Sequence, residues 1–400
     1  MRRTYLFSLG LIAVLAMTAA CQSASPNEGA SSSSSVDSSA SSVESSAPDG
    51  SSASSDVSSS VATSGDDIVA EAKAAVKEAT KALTGAAIPQ DSPPMQKDKF
   101  VILIPCAQAG EGCAQPAEGS RDAAEAAGWK AQIIDGQGTA EGQSAAINQA
   151  ISLKPDGIIT YAIDPEGVIG AIQAARAAGI KVVASSAAPS DKVDFGGIPT
   201  ADSWRDGGVM DANYVIAQTD GQARSIILTG NEFAALIPRS EGYESRLSDC
   251  AGCSVSAKEN FAFADMATSL PQLVQQLVQR DPKVNSIYVV YDAAVPYVLQ
   301  GLKSLGRSDI VVVSGDGTSE TLQCLRDECG QSATAALPLR WLGWADVDIM
   351  NRLFAGVDPQ SAADALPIKL ITSDNVQSEP GNWGGDVDFE AAYKKLWQVG

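Results

Sequence analysis

The side chains of this 400-residue chain that can do chemistry are carboxylates, a few cations, rings and seven cysteines, for histidine is absent. Without imidazole there is no Ser-His-Asp or Cys-His nucleophile and no histidine-ligated metal. The cysteines divide as one plus six. Cys21 stands alone, and the rest fall into near neighbours: Cys106 with Cys113, Cys250 with Cys253, and Cys324 with Cys329. Spacings this short suit local disulfides in an exported protein. Cys106–Cys113 would fasten the loop after a first strand, and Cys324–Cys329 can close only if its helix ends between them. Cys250–Cys253 has redox and zinc half-site spacing but lacks a second half, so a structural disulfide is expected.

Phosphate-binding glycine loops are not present. Gly110 and Gly112 would need a third glycine where Gln115 stands, Gly315 and Gly317 one where Glu320 stands, and no Walker-type Gly-Lys-Ser/Thr occurs. No cofactor is indicated. With 28 Lys plus Arg against 48 Asp plus Glu, the formal charge of −20 repels phosphate backbones, which argues against nucleic acid as a partner.

The elements that must position these groups begin after a leader. Arg2 and Arg3 precede an apolar run from Leu6 to Met17, closed by Thr18, Ala19 and Ala20 before Cys21. This layout is an export signal, too short to span a bilayer. Its end resembles the lipobox of bacterial lipoproteins, although Thr18 stands where Leu is usual. The resemblance implies lipidation at Cys21. Residues 22–65 hold 21 Ser in 44 positions and read as a flexible tether with a reach of roughly 35–40 Å. Helical spacing of Val69, Ala72, Val76, Ala79 and Leu83 predicts one amphipathic helix over Asp66–Thr84, followed by a proline-rich lead-in to about residue 96.

From Lys97 a strand and helix rhythm sets in. Apolar runs at Phe100–Pro105, Ala131–Asp135, Gly157–Ala162 and Lys181–Ala184 alternate with helical stretches near Pro116, Thr139 and Pro165. A second round follows, with strands at Ser225–Thr229, Ser254–Phe261, Ser286–Tyr291 and Ile310–Ser314 and helices near Arg239–Cys250, Thr268–Gln279 and Val295–Leu305. Continuous apolar strands belong in parallel sheets covered on both faces. Two α/β lobes are predicted, and such sheets bind ligands beyond the carboxyl ends of their strands.

The strand-end segments GIITYAIDPEGVIGAI, AAGIKVV, PRSEGYESRL and VVVSGDGTSE resemble the type I periplasmic solute-binding proteins, specifically the ribose-like sugar-binding group. That resemblance implies two Rossmann-like lobes joined by three crossing strands, closing over one small ligand and docking on an ABC permease. It places residues 97–201 and 337–372 in an N-terminal lobe, 202–336 and 373–400 in a C-terminal lobe, and the first crossing at about Ile198–Asp202. Asp316 then matches a carboxylate that takes ligand hydroxyls, Arg239 an arginine that reaches the ligand, and Asp292 an acid whose neighbour here is Tyr291. Ser185 and Ser186 stand where the ribose group carries an Asp-Arg pair, Gly112 and Cys113 replace its stacking aromatics, and Ala336 replaces its glutamine, so ribose itself is not expected. Tyr161, Trp204, Phe263, Trp341 and Trp344 are rings near strand or crossing ends that can stack on a ligand; Gln108, Glu111, Asp164 and Asp265 complete the polar candidates.

The reading is an exported, membrane-anchored, monomeric lipoprotein facing the periplasm or cell wall, which captures a sugar-like solute for an ABC importer and makes or breaks no bond. Two alternatives stand beside it. One is a ligand-sensing receptor for chemotaxis or a two-component system, and the other a glycoside hydrolase using Asp292 and Asp316.

Overall fold

The computed structural model describes residues 65–83, 88–362 and 366–399. The expected signal, Cys21 and all of the tether but Gly65 lie outside the described residues. Helix α1 (Gly65–Ala79) leads, and Ile68 and Ala72 bury its apolar stripe.

The first sheet takes β1 (Phe100–Pro105), β2 (Lys130–Ile133), β3 (Gly157–Tyr161), β4 (Lys181–Ser185) and β5 (Phe195–Ile198). Their order is β2-β1-β3-β4-β5 and every pairing is parallel. Helices α2 (Glu111–Ala126), α3 (Ala140–Ser152) and α4 (Ile169–Ala177) provide the crossovers. The second sheet, in order β11-β10-β9-β8-β6-β7, is built from β6 (Arg224–Thr229), β7 (Ser254–Asn260), β8 (Ser286–Val289), β9 (Val311–Asp316), β10 (Ala333–Ala336) and β11 (Lys369–Thr372). Only β11 runs antiparallel. Helices α5 (Ala201–Gln218), α6 (Ile237–Ser248), α7 (Met266–Arg280), α8 (Val295–Ser304) and α9 (Ser319–Arg326) clothe it. Every residue of β3 and β8 is buried, because each sheet is covered on both faces.

The lobe boundaries differ from expectation. β11 pairs with β10, so Lys369–Thr372 belongs to the C-terminal sheet. Helix α11 (Phe389–Trp397) packs on α10 (Leu339–Ala355) in the N-terminal lobe, where Trp344 stacks on Trp397 at 5.4 Å and Trp341 on Phe389 at 5.5 Å. The rings at 389, 393 and 397 are buried in the core of the N-terminal lobe. The first crossing is likewise no strand at 198–202. β5 ends at Ile198, the Ile198–Pro199 peptide is cis, and Thr200 caps α5 by accepting from Ser203 N at 3.2 Å. The three expected crossings, after β5, after β10 and after α10, are present, and two more join them: α1 packs on α5 and β11 before β1 opens the other lobe, and α11 returns to that lobe.

Both lobes repeat one helix-pair joint. A Cβ on Gly208 of α5 would lie 1.9 Å from the Arg239 carbonyl of α6, and one on Gly242 would lie 2.2 Å from that of Arg205. In the N-terminal lobe, Gly343 of α10 meets the Pro116 carbonyl of α2 at 2.2 Å and Gly119 meets that of Arg340 at 2.3 Å. No side chain fits, so the helices touch backbone to backbone. This superposes Arg205 on Arg340, Asp211 on Asp346 and Glu241 on Glu118. The strand registers carry the same correspondence through β3 and β8 and through β4 and β9.

Candidate functional site

The carboxyl ends of the strands converge on a cavity lined by Gly110, Gly112, Cys113, Ala162, Ser186 and Leu339 from one lobe and by Trp204, Phe233, Leu236, Phe263, Tyr291, Ala293 and Asp316 from the other. Room for the centres of water-sized molecules amounts to ≈ 60 Å³. Sharp strand-end turns aim the lining inward. Ala162, Ser186 and Asp316 have φ of 52°, 50° and 129°, values that L-residues adopt only where their surroundings hold them.

Arg239 and Asp316 form the polar centre. The Arg239 guanidinium is buried, donates from Nη1 to Asp316 Oδ1 at 2.9 Å and to the Val290 carbonyl at 2.8 Å, and lies with Cζ 4.5 Å from the Trp204 ring centre. It rests on the β9 backbone, where a Cβ on Gly315 would sit 2.6 Å from Nη1. Burial opposes its charge, but Asp316 and Asp211 hold its pKa above the ordinary value. Burial raises Asp316, and Arg239 pulls the other way. Asp316 Oδ2 remains for a ligand, facing Gly112 at the start of α2, where an added Cβ would come within 3.2 Å. Three buried donors or acceptors at this site have no protein partner: Trp204 Nε1, Tyr291 Oη and Arg239 Nε. Tyr291 lies edge-on to Phe233 at 5.7 Å and tilted to Phe263 at 6.2 Å. Burial raises its phenol pKa, so it stays protonated and can donate.

Of the residues singled out in the sequence, Ser186, Trp204, Arg239, Tyr291 and Asp316 meet here, and so does Phe263. Glu111 stands at the rim with another task. Its Oε2 accepts from Ser319 N at 3.0 Å and Ser319 Oγ at 2.9 Å, reaching from α2 to the start of α9 across the cleft. A carboxylate at a helix N-terminus is favoured by the dipole there.

The remaining candidates are corrected. Asp292 is buried and fully engaged by its own lobe. It accepts from Gly317 N and Thr318 N at 2.8 Å each, Thr334 Oγ1 at 3.0 Å, Thr318 Oγ1 at 3.3 Å, and Ser314 Oγ. It pins the loop that presents Asp316. Burial and the Asp316 charge push its pKa up to about 6 against those hydrogen bonds. Tyr161 points into the core and donates to Ser120 Oγ at 2.6 Å. Ser185 is buried one residue before the cavity, near Asp346 but outside hydrogen-bond geometry. Trp341 and Trp344 lie in the core beneath α11. Asp164 Oδ1 caps a turn at Glu166 N, 3.1 Å. Gln108 and Asp265 are exposed: the first donates its backbone N–H to Asp135, and the second accepts Thr268 and Ser269 hydroxyls through its carbonyl.

Sequence reasoning missed Phe233, Leu236, Leu339 and Ala162. Internal correspondence is the signal that finds them. Gly110 superposes on Phe233, Cys113 on Leu236, Leu339 on Trp204, Ala162 on Tyr291 and Ser186 on Asp316, and all ten line the cavity.

All three cysteine pairs are disulfides, with Cα atoms 5.7, 5.2 and 5.0 Å apart for Cys106–Cys113, Cys250–Cys253 and Cys324–Cys329. Helix α9 ends at Arg326, between the last two. Among the described residues there is no cluster of metal-ligating side chains, and no helix is long and apolar enough to cross a membrane.

Two parallel α/β lobes on one plan, with a ring-lined cavity between them, define a bilobal solute-binding fold. The chain belongs to the family described as periplasmic binding protein domain, whose profile matches residues 100–357. No match was found among curated protein sequences. Similar solved structures include GanP, a glucose-galactose binding protein from Geobacillus stearothermophilus, with TM-score 0.62 and 20% identity over 70% of this chain and 99% of that one. An ABC transporter solute binding protein from Burkholderia graminis in complex with D-arabinose has TM-score 0.60 and 22% identity, covering 71% and 98%. One from Agrobacterium vitis with bound allitol has TM-score 0.60 and 16% identity, covering 70% and 97%.

Proposed function

We propose that this protein is an exported, lipid-anchored receptor that captures one small sugar-like solute between its lobes and hands it to an ABC importer. The observation that carries the reading is the Arg239–Asp316 pair beside unpartnered Trp204 and Tyr291 donors in a cavity closed by both lobes. Asp316 Oδ2 takes ligand hydroxyls, Trp204 and Tyr291 donate to ligand oxygens, and ring faces cover a carbon skeleton. The D-arabinose and allitol complexes of similar structures support a polyhydroxylated solute. No bond is made or broken in this reading, since Asp292, the second acid a hydrolase would need, is engaged by its own loop.

Calorimetric titration of the full chain with pentoses, hexoses, deoxy sugars and polyols tests the capture step. A sugar-like solute binds, and Asp316→Asn weakens it about 30-fold or more while leaving the circular dichroism unchanged, because a buried charged hydrogen bond is lost. An unaffected affinity in that variant, or no binding across the series, overturns the proposal. Retention of a Cys21→Ser variant in washed membranes would overturn the anchor.

A further inference from the structure

The cavity is built from equivalent positions of two similar lobes, and at each one the C-terminal lobe carries the larger or more polar residue. Phe233 stands opposite Gly110, Leu236 opposite Cys113, Trp204 opposite Leu339, Tyr291 opposite Ala162 and Asp316 opposite Ser186. Hydrogen-bonding side chains follow the same division. Asp316, Trp204 Nε1 and Tyr291 Oη lie on the C-terminal side, with Arg239 Nε behind them. Against them the N-terminal side sets the single hydroxyl of Ser186 among Gly110, Gly112, the Cys106–Cys113 disulfide, Ala162 and Leu339.

A hexose or pentose carries hydroxyls around its whole ring. Seated here, those facing the N-terminal lobe would leave water for a side that offers one hydroxyl, of Ser186, and the backbone of Gly110 and Gly112 among carbon and sulfur, so a fully hydroxylated ring leaves more groups unpaired, and each unpaired polar group is penalised. A ligand whose polar groups lie along one edge meets no such penalty.

We propose that the ligand is two-ended: a compact ring with two or three hydrogen-bonding groups on one edge, read by the C-terminal lobe, and a deoxygenated remainder lodged against the N-terminal lobe. Its class is the deoxy sugars. This rests on the reading of the cleft as a sugar-like solute site. The C-terminal lobe discriminates, and the N-terminal lobe supplies a dry lid.

Matched pairs decide it: galactose against 6-deoxygalactose, mannose against 6-deoxymannose, and ribose against 2-deoxyribose, titrated calorimetrically into the full chain. At least one deoxy member binds about 10- to 100-fold more tightly than its parent, the span an apolar pocket yields against an added hydroxyl. Ser186→Asp, which places on the N-terminal side the acid found at Asp316, shifts preference at least about 10-fold toward the hydroxylated parent. Aspartate is among the few residues that accept the positive φ of this position. Equal or tighter binding of every parent overturns the two-ended ligand and leaves the sugar-capture reading standing. An unshifted preference in a folded Ser186→Asp protein overturns it too. Binding of no member of any pair removes both proposals together. Should the variant not fold, the wild-type pairs suffice to uphold or overturn the two-ended ligand.

Discussion

The two lobes share what holds a lobe together and differ in what faces the ligand. Both keep the glycine pairs that press two helices backbone to backbone, an arginine at 205 or 340 bound to a glutamate at 241 or 118, and a buried acid at 211 or 346. Burial raises both acids well above the ordinary range. Where they differ, charge has gone to one side. Arg239 occupies the place of Pro116, Asp292 that of Ile163, and Asp316 that of Ser186. Positions that match report the demands of folding, and positions that diverge report the demands of recognition.

Arg239 should therefore be the most costly residue to lose. Arg239→Met keeps the stem but leaves Asp316 without its cation, and Asp211 without a compensating charge. Unpairing a buried ion costs about 3–5 kcal/mol, and ligand binding should vanish with it. Pro116→Ala, at the matching place on α2, touches no charge and should cost below about 1 kcal/mol. Denaturant melts at pH 7 measure both. Equal losses would show that the division between lobes has no energetic meaning.

The shared joint should break equally in either half. Gly208→Ala and Gly343→Ala each drive a methyl into a carbonyl, at 1.9 and 2.2 Å. Neither neighbour is a flexible side-chain end, so the helices must part, at about 3 kcal/mol or more in both variants, the upper part of the overpacking range. A lobe that tolerates its alanine would show that its helix pair is free to slide, contrary to the duplicated design.

The contrast between lobes also explains what could be read in advance. Apolar runs and their spacing revealed the central strands of both sheets, because a strand buried on two faces must be apolar throughout, whereas β5, β10 and β11 were not among the apolar runs singled out. Which of two adjacent strand-end residues enters the cavity was less legible. Side chains alternate, so Ser185 points inward while Ser186 lines the cleft, and Tyr161 is core while Ala162 is lining. Trp341 failed for the helical version of that reason: Leu339, two residues earlier on α10, faces the cavity, and the tryptophan has turned to the core. Asp292 matched a conspicuous segment, but its partners Gly317, Thr318 and Thr334 come together only in the folded sheet. Helix α11 falls to the wrong lobe on chain order alone, which does not say which core takes the rings at 389, 393 and 397.

Acidity gives a sharper contrast, since Asp292 titrates and its counterpart Ile163 does not. Its pKa rises on folding from an ordinary 3.8 to about 6, so the native state binds this proton more tightly than the unfolded chain. The contribution is present below pH 3.8 and is lost as pH rises through 6, amounting to about 3 kcal/mol. Asp292→Asn removes it. The stability difference between wild type and variant should thus move in the variant's favour by about that amount from pH 4 to pH 7, whatever the offset from altered hydrogen bonds. A difference that stays flat over that interval would mean that Asp292 remains ionised throughout and that its five partners outweigh burial.

The smallest effect should come from the arginines that flank each joint. Arg205 reaches Glu241 at 2.9 Å with both side chains about half exposed, whereas Arg340 meets Glu118 at 3.2 Å and also Asp122, with all three about one-third exposed. Exposed pairs contribute about 0.2–1 kcal/mol and are screened by salt. A double-mutant cycle on Arg205 and Glu241 should fall at the low end of that range and disappear in 1 M salt. The same cycle on Arg340 and Asp122 should be larger and less sensitive to salt, since water reaches that pair less and a second acid orients the guanidinium. If the order were reversed, accessibility would not be what ranks these bridges, and the similarity of the two joints would extend beyond the glycines to their charges.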